Sequence, residues 1–149
     1  MRTASMTALL LLAACSRDRT PAARHLPPDE AAAALIDRNW LDLWPTSETE
    51  RLHVYRFTPS MGGGVFQDRT LFEGHFELFT YQIEAEHLTI QWPHSKTQDR
   101  MVFSVDRVRG PAPFDLKLEL SSPSHGPRTY YGRSKETAAD AARWDLPRR

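Results

Sequence analysis

The residues with the clearest potential for chemistry are one histidine and two carboxylates at alternate positions: Glu73, His75 and Glu77. In an extended strand, alternate side chains share one face and lie about 7 Å apart. Such a donor set is one that a divalent metal ion accepts, so a metal site is one interpretation. The other interpretation, which we favour, is the water-facing outer wall of a sheet, with the neighbouring apolar side chains turned inward: Phe72, Phe76 and Leu78. We therefore predict no metal ligands and no cofactor.

A second candidate is His53, which shares a predicted strand face with Tyr55 and Phe57. An imidazole in that position could act as a general base. A histidine beside aromatic rings is more often a hydrogen-bonded wall residue. We favour the second interpretation and predict no catalytic residue.

Other familiar motifs are missing from the sequence. His87, His94 and His125 fall in different predicted turns without a common spacing, so they do not predict a zinc site. The glycine triplet at residues 62–64 lacks the Lys-Ser/Thr that a phosphate-binding loop needs. No Gly-x-Ser-x-Gly or Gly-x-Gly-x-x-Gly motif is present. We expect a non-enzymatic protein.

Cys15 is the only cysteine of the chain, which excludes an intramolecular disulfide and a Cys-x-x-Cys site. It follows Arg2 and the apolar residues 6–14. This run is far shorter than the about 20 residues that a membrane-spanning helix needs, and it is typical of an export signal.

The sequence Leu12-Ala13-Ala14-Cys15 resembles the lipobox of bacterial lipoproteins. The resemblance implies cleavage before Cys15 and a diacylglyceryl group on its thiol, which would anchor the protein to membrane lipid. Ser16 resembles the outer-membrane sorting signal, if the host has two membranes. Two alternatives remain open: an ordinary cleaved signal with a chance cysteine, and a buried N-terminal helix of a cytosolic protein.

Composition and charge narrow the remaining possibilities. The 19 basic and 19 acidic residues cancel, and the basic residues are scattered, so nucleic acid is not an expected partner. Residues 16–28 are polar, contain prolines and predict a flexible tether. We predict a signal peptide at 1–14, a lipidated tether at 15–28, a barrel domain at 29–133, and a C-terminal helix and tail at 134–149.

The barrel prediction rests on alternating apolar and polar residues separated by turn residues. The clearest case is residues 114–120, in which apolar and charged residues alternate strictly. The connections are too short for helical crossovers, which favours an antiparallel up-and-down meander. About eight strands are predicted, at residues 39–44, 52–58, 65–67, 71–83, 88–92, 101–108, 114–120 and 128–132. Short helices are predicted on either side, one opening at Pro28 with Leu35 and Ile36 as a lid, the other ending at Trp144.

A meander of this kind closes most simply into a barrel. The pattern over residues 35–132 resembles a small lipocalin-like or calycin barrel, because a short helix feeds Asn39-Trp40 at the start of the first strand. That superfamily commonly has Gly-x-Trp at this place, whereas this chain has Arg38-Asn39 before the tryptophan. An eight-strand interior has room for one small apolar ligand at most. The aromatic residues that we predict as ligand-binding are Trp40, Tyr55, Phe57, Trp92, Phe103 and Tyr130.

Three functions remain open. The first is an anchored binding module in the cell envelope, which holds a small apolar or lipid-like ligand or docks an envelope protein. The second is a structural or assembly lipoprotein that acts through an exposed patch, indicated by a filled interior and an apolar outer surface. The third is a metal-dependent hydrolase, which requires the histidines and carboxylates to converge in a cleft.

Overall fold

A computed structural model describes residues 23–135 of the chain. Within that range the chain is mainly β, with one α-helix, α1 (Pro28–Leu35), and a short 3-10 turn at Pro59–Met61. The nine strands of these residues are β1 (Arg24–His25), β2 (Asn39–Leu41), β3 (Leu52–Thr58), β4 (Gly63–Arg69), β5 (Gly74–Glu84), β6 (His87–Trp92), β7 (Thr97–Arg107), β8 (Leu116–Leu120) and β9 (Thr129–Gly132).

Strands β2 to β9 form a closed antiparallel barrel. Each strand pairs with the next along the chain, and β9 returns to β2 through the pair Leu41 and Tyr131. Closure removes the free edges that an open meander would leave. The predicted eight-strand up-and-down barrel is therefore confirmed, as is the short N-terminal helix. The predicted C-terminal helix lies, from residue 136 onward, outside the described residues.

Helix α1 covers the end of the barrel at which β2 begins, called here the helix end. Its Leu35 is fully buried in the main core, and the indole Nε1 of Trp40 donates to the Leu35 carbonyl oxygen at 2.9 Å. Asp29 and Glu30 lie in the first turn, where carboxylates interact favourably with the helix dipole. The helix thus closes one end of the barrel, as predicted for a lid. None of the helices in the described part of the chain is long and apolar enough to cross a membrane.

The chain enters the barrel earlier than predicted. Arg24 and His25 pair with Arg107 and Asp106 of β7, and Leu26 is buried in the main core. Residues 24–28, which were predicted as the end of the tether, therefore belong to the barrel and its helix. The sequence does not indicate where the barrel begins, because Leu26 stands between His25 and two prolines and no alternation marks a strand of two residues.

Alternation along the strands separates an inner from an outer face. The inward side chains form the main core with Leu26 and α1. A second, small cluster lies outside the barrel wall and consists of Leu41, Leu52, Val54 and Phe114. Phe114 was predicted to begin a strand, but β8 begins at Leu116, and the Phe114 ring instead stacks on Tyr131 at 5.8 Å.

The strands are staggered, so one side of the barrel extends beyond the other. Strand β6 joins β5 only from Thr80 onward, whereas β4 pairs with β5 down to Gly74. Residues 74–79 therefore have a strand neighbour on one side only. This overhang lies at the end opposite α1, called here the loop end, which carries the connections 42–51, 70–73, 93–96 and 121–128.

Candidate functional site

The loop end carries a set of polar side chains that we call the polar rim: Asp42, His53, Asp68, Glu77, Asp99, Ser124 and His125. Strand alternation explains several of these positions. His53 continues the inward phase of Tyr55 on β3, and Asp99 continues that of Met101 on β7. They lie near the ends of their strands, where inward-facing side chains reach the opening of the barrel and can contact water.

One half of the polar rim is built around His53. Its Nδ1 lies 2.6 Å from Asp42 Oδ2, and its backbone N–H donates to Asp42 Oδ1 at 2.8 Å. Its Nε2 lies 3.7 Å from Asp68 Oδ1. Asp68 in turn accepts from the guanidinium of Arg51, and this hydrogen bond is the main reason that the pKa of the Asp68 carboxyl is lowered. His53 is therefore a hydrogen-bonded residue of the rim between two carboxylates.

The other half of the polar rim is built around the β8–β9 loop. The Oγ of Ser124 donates to Asp99 Oδ2 at 2.5 Å, and the Ser124 backbone N–H donates to the same oxygen at 3.1 Å. The ring of His125 bridges Ser124 Oγ, 2.7 Å from Nδ1, and Glu77 Oε2, 3.1 Å from Nε2. These bonds tie the loop to β5 and β7 at once.

The same loop also packs against the aromatic interior. The ring centroids of His125 and Trp92 lie 3.9 Å apart. The Tyr55 hydroxyl donates to the His125 carbonyl oxygen at 3.1 Å. Gly126 has a φ of +68°, and a Cβ there would lie 2.3 Å from the Tyr130 hydroxyl oxygen. Only glycine fits this conformation and this close approach. The loop therefore closes the barrel at the loop end, as α1 does at the helix end.

A serine, a histidine and a glutamate in hydrogen-bond sequence suggest nucleophilic catalysis, and the proton positions argue against it. A nucleophilic serine gives its proton to the neighbouring histidine. Here the Ser124 hydroxyl donates to Asp99, so Ser124 Oγ is an acceptor toward His125. The arrangement holds a loop in place.

The six aromatic residues predicted to bind a ligand all lie in the barrel interior, in one cluster: Trp40, Tyr55, Phe57, Trp92, Phe103 and Tyr130. Tyr55 is central, with its ring centroid 5.2 Å from that of Tyr130 and 5.8 Å from that of Phe57. Each of the six is almost completely buried. The Tyr55 ring centroid also lies 6.4 Å from that of Trp92, and all six side chains belong to the buried main core.

Two polar atoms on the inward face of the barrel have no hydrogen-bond partner within residues 23–135: the Tyr130 hydroxyl and Glu77 Oε1. Burial is also the main cause that raises the pKa of both the Tyr55 and the Tyr130 hydroxyl. Neutral phenols are therefore strongly favoured inside the barrel.

The predicted orientation of the start of β5 is wrong. Phe72, Phe76 and Leu78 were expected inside, but they are 71%, 67% and 57% exposed. Glu77 instead points inward, in phase with Phe79. The sequence carries two apolar phases that meet at Leu78 and Phe79, and both cannot face the core. The side chains in phase with Phe79 face inward because this phase continues into the part of β5 that pairs with β6, where the barrel wall is complete. The phase of Phe76 and Leu78 lies mainly on the overhang at residues 74–79.

Glu73, His75 and Glu77 do not form a common site. Glu73 and His75 are exposed, and Glu77 is occupied by His125. Over residues 23–135, no three His, Cys, Asp or Glu side chains are grouped so that they could hold a metal ion. His87, predicted in a turn, is the first residue of β6 at the helix end, whereas His94 lies in the β6–β7 connection at the loop end. Cys15 lies outside the described residues, and its lipidation stays a prediction.

Sequence reasoning missed four members of the polar rim: Asp42, Asp68, Asp99 and Ser124. Asp99 carried a usable signal, because it occupies the inward phase of a strand whose following inward residues are apolar. Asp42 and Ser124 lie in loops, where no periodicity indicates direction. Their partners come from distant parts of the chain, so only the closed barrel brings them together.

The misassigned residues of β5 create a feature of the outer surface. We call it the apolar ridge: Leu71, Phe72, Phe76 and Leu78, at the loop end of the β4–β5 hairpin. Single exposed apolar residues are ordinary in proteins, whereas a contiguous apolar patch is typical of an interaction surface. Comparisons with protein-family models, curated proteins and solved structures gave no match for this chain.

Proposed function

We propose that this protein is an exported bacterial lipoprotein, anchored through Cys15, that acts without catalysis by docking through its outer surface. The observation that carries the proposal is the combination of an interior lined with buried aromatic side chains and an exposed apolar ridge. We infer that a narrow barrel lined with large buried rings and covered at both ends leaves little room for a ligand, whereas exposed phenylalanines favour contact with another surface.

The anchor supports the same proposal. Buried acyl chains contribute about 0.8 kcal/mol per methylene, so a doubly or triply acylated Cys15 would keep the protein at a membrane. The anchor would place the protein in the cell envelope, on the outer membrane if the host has two. A module held there meets its docking surface at high local concentration, so a small apolar ridge suffices.

A second candidate is a holder of one small, polar-headed apolar ligand beneath the β8–β9 loop. The unpartnered Tyr130 hydroxyl and Glu77 Oε1 favour it, because a ligand could supply the missing hydrogen bonds. Such a ligand would have to displace the loop that His125 ties down.

Native mass spectrometry of the full chain, purified in mild detergent from bacterial membranes, separates the first two candidates. Docking through the outer surface predicts a spectrum without a stoichiometric small molecule. One small apolar molecule for each chain, lost when Tyr130 is replaced by phenylalanine, would refute the docking proposal and support the ligand holder.

Photo-crosslinking in living cells gives the complementary result. A crosslinking residue at position 76, on the apolar ridge, should capture a neighbour. The same residue at position 119, on the outer face of β8, is the matched control and should not. Equal capture at both positions would contradict docking through the ridge.

A further inference from the structure

The outer wall beside the apolar ridge is almost free of charge. Two cross-strand rows follow Phe76 and Leu78 along β5, β6 and β7, and their outward side chains are Thr80, Gln91 and Gln98, then Gln82, Thr89 and Arg100. Arg100 is the only formally charged residue among them, in a chain of which 26% is charged. The next row toward the helix end brings in Glu84, His87 and the exposed Val102. We call the two rows with the ridge the β5–β7 face.

The chain joins the barrel at the helix end of this face, which we call its foot. Asp106 and Arg107 pair with β8 along one edge of β7, so β1 must lie along the other edge, where β6 also pairs. Only eight residues separate Cys15 from Arg24. Since a fully extended chain advances about 3.3 Å per residue, an anchor on Cys15 holds the foot of the face within roughly 30 Å of the lipid.

From these observations we propose that the β5–β7 face lies side-on against the lipid surface, with the apolar ridge inserted among the headgroups. This inference rests on the proposed function, because it takes Cys15 as the anchor. The anchor holds the foot of the face near the lipid, and Phe72, Phe76 and Leu78 hold its loop end there. Threonine, glutamine and arginine side chains between them suit a hydrated headgroup layer.

A lipid surface fits the face better than the other occupants. A second copy paired along the free edge of residues 74–79 would satisfy that edge, but it would leave the outward Phe76 and Leu78 in water. A lipid surface covers outward side chains directly. The contact needs little intrinsic affinity, since tethering supplies an effective concentration of about millimolar.

The test uses the chemistry of the sole cysteine. The full chain is coupled through Cys15 to a maleimide lipid in phosphatidylcholine vesicles whose acyl chains are brominated near the headgroup, because bromine quenches tryptophan on contact. The variant Phe76→Trp places the reporter on the face, and Leu78→Trp is a second reporter if the first fails to fold. The control is Glu119→Trp, on the outer face of β8. The parent chain gives the background of native tryptophans.

We expect the bromolipid to remove most of the added fluorescence of Phe76→Trp or Leu78→Trp and none of that of Glu119→Trp. Equal quenching at both positions would mean that the barrel has no preferred face and would overturn the proposal. Absence of quenching at either ridge position would also overturn it, and a dimer seen by light scattering would identify a second copy as the occupant. Because chemical coupling replaces cellular acylation, these results do not depend on whether cells lipidate Cys15.

Discussion

At the scale of single residues, the two buried tyrosines of the interior differ in one hydrogen bond. Tyr55 donates to the His125 carbonyl oxygen, whereas the Tyr130 hydroxyl has no partner. Leaving a buried polar group unsatisfied costs about 1–3 kcal/mol. The same hydroxyl chemistry is therefore stabilising at one position and costly at the other.

Replacing each tyrosine by phenylalanine should separate the two effects. We expect Tyr55→Phe to lower the free energy of unfolding by about 1 kcal/mol, because a hydrogen bond is lost. Tyr130→Phe should leave it unchanged or raise it, because no bond is lost and an unpaired hydroxyl disappears. Urea unfolding at neutral pH measures both. A larger loss for Tyr130→Phe than for Tyr55→Phe would contradict the hydrogen bonding described here.

The same two residues predict alkaline unfolding. Burial raises the pKa of both hydroxyls in the folded state, while in the unfolded chain they ionise at about pH 10. Their contribution is therefore complete below about pH 10 and is lost as the pH rises further, by up to about 1.4 kcal/mol per pH unit for each tyrosine. Unfolding curves between about pH 8 and 11 test this, and Tyr130→Phe should show the shallower decline. Identical declines in parent and variant would refute the assignment.

At the scale of the elements, alternation located the strands but not every boundary or face. The alternation over residues 114–120 located β8, because each inward position there is apolar, although the strand begins at Leu116 and not at Phe114. Strand β7 begins at Thr97, earlier than predicted. The prediction missed its first residues because they are polar and pair with β6 through the backbone, so no apolar alternation marks them. The start of β5 was assigned the wrong face because Leu78 and Phe79 belong to competing phases. The polar rim could not be predicted as a unit, because its partners lie far apart in sequence.

The reversed face of β5 gives a direct mutational test. Phe76→Ala removes a ring that is mostly in water and should change the free energy of unfolding by less than about 0.5 kcal/mol. Phe79→Ala removes a buried ring from the core and should cost about 3–5 kcal/mol. Chemical denaturation of the two variants measures the difference, and Phe79→Leu serves if Phe79→Ala does not fold. A larger cost at Phe76 would restore the orientation first predicted from the sequence.

At the scale of the whole molecule, the barrel formed by the described residues is covered at both ends, has large aromatic side chains buried inside and carries exposed apolar residues on one part of its outer surface. Such a body offers its surface more readily than its interior. An anchor at Cys15, as proposed, would bring that surface to the membrane, because only eight residues separate Cys15 from Arg24. Function would then depend on position in the envelope, and not on a reaction inside the barrel.

The lipid anchor on Cys15 is tested most directly by the intact mass of the full-length chain after expression in a bacterium that processes lipoproteins. The mass is measured separately for the membrane and soluble fractions. We predict a membrane-bound chain that begins at Cys15 and carries the added mass of a diacylglyceryl group, with at most one further acyl chain, and a Cys15→Ser control without it. A soluble chain that retains Met1 and carries no acyl mass would contradict the account.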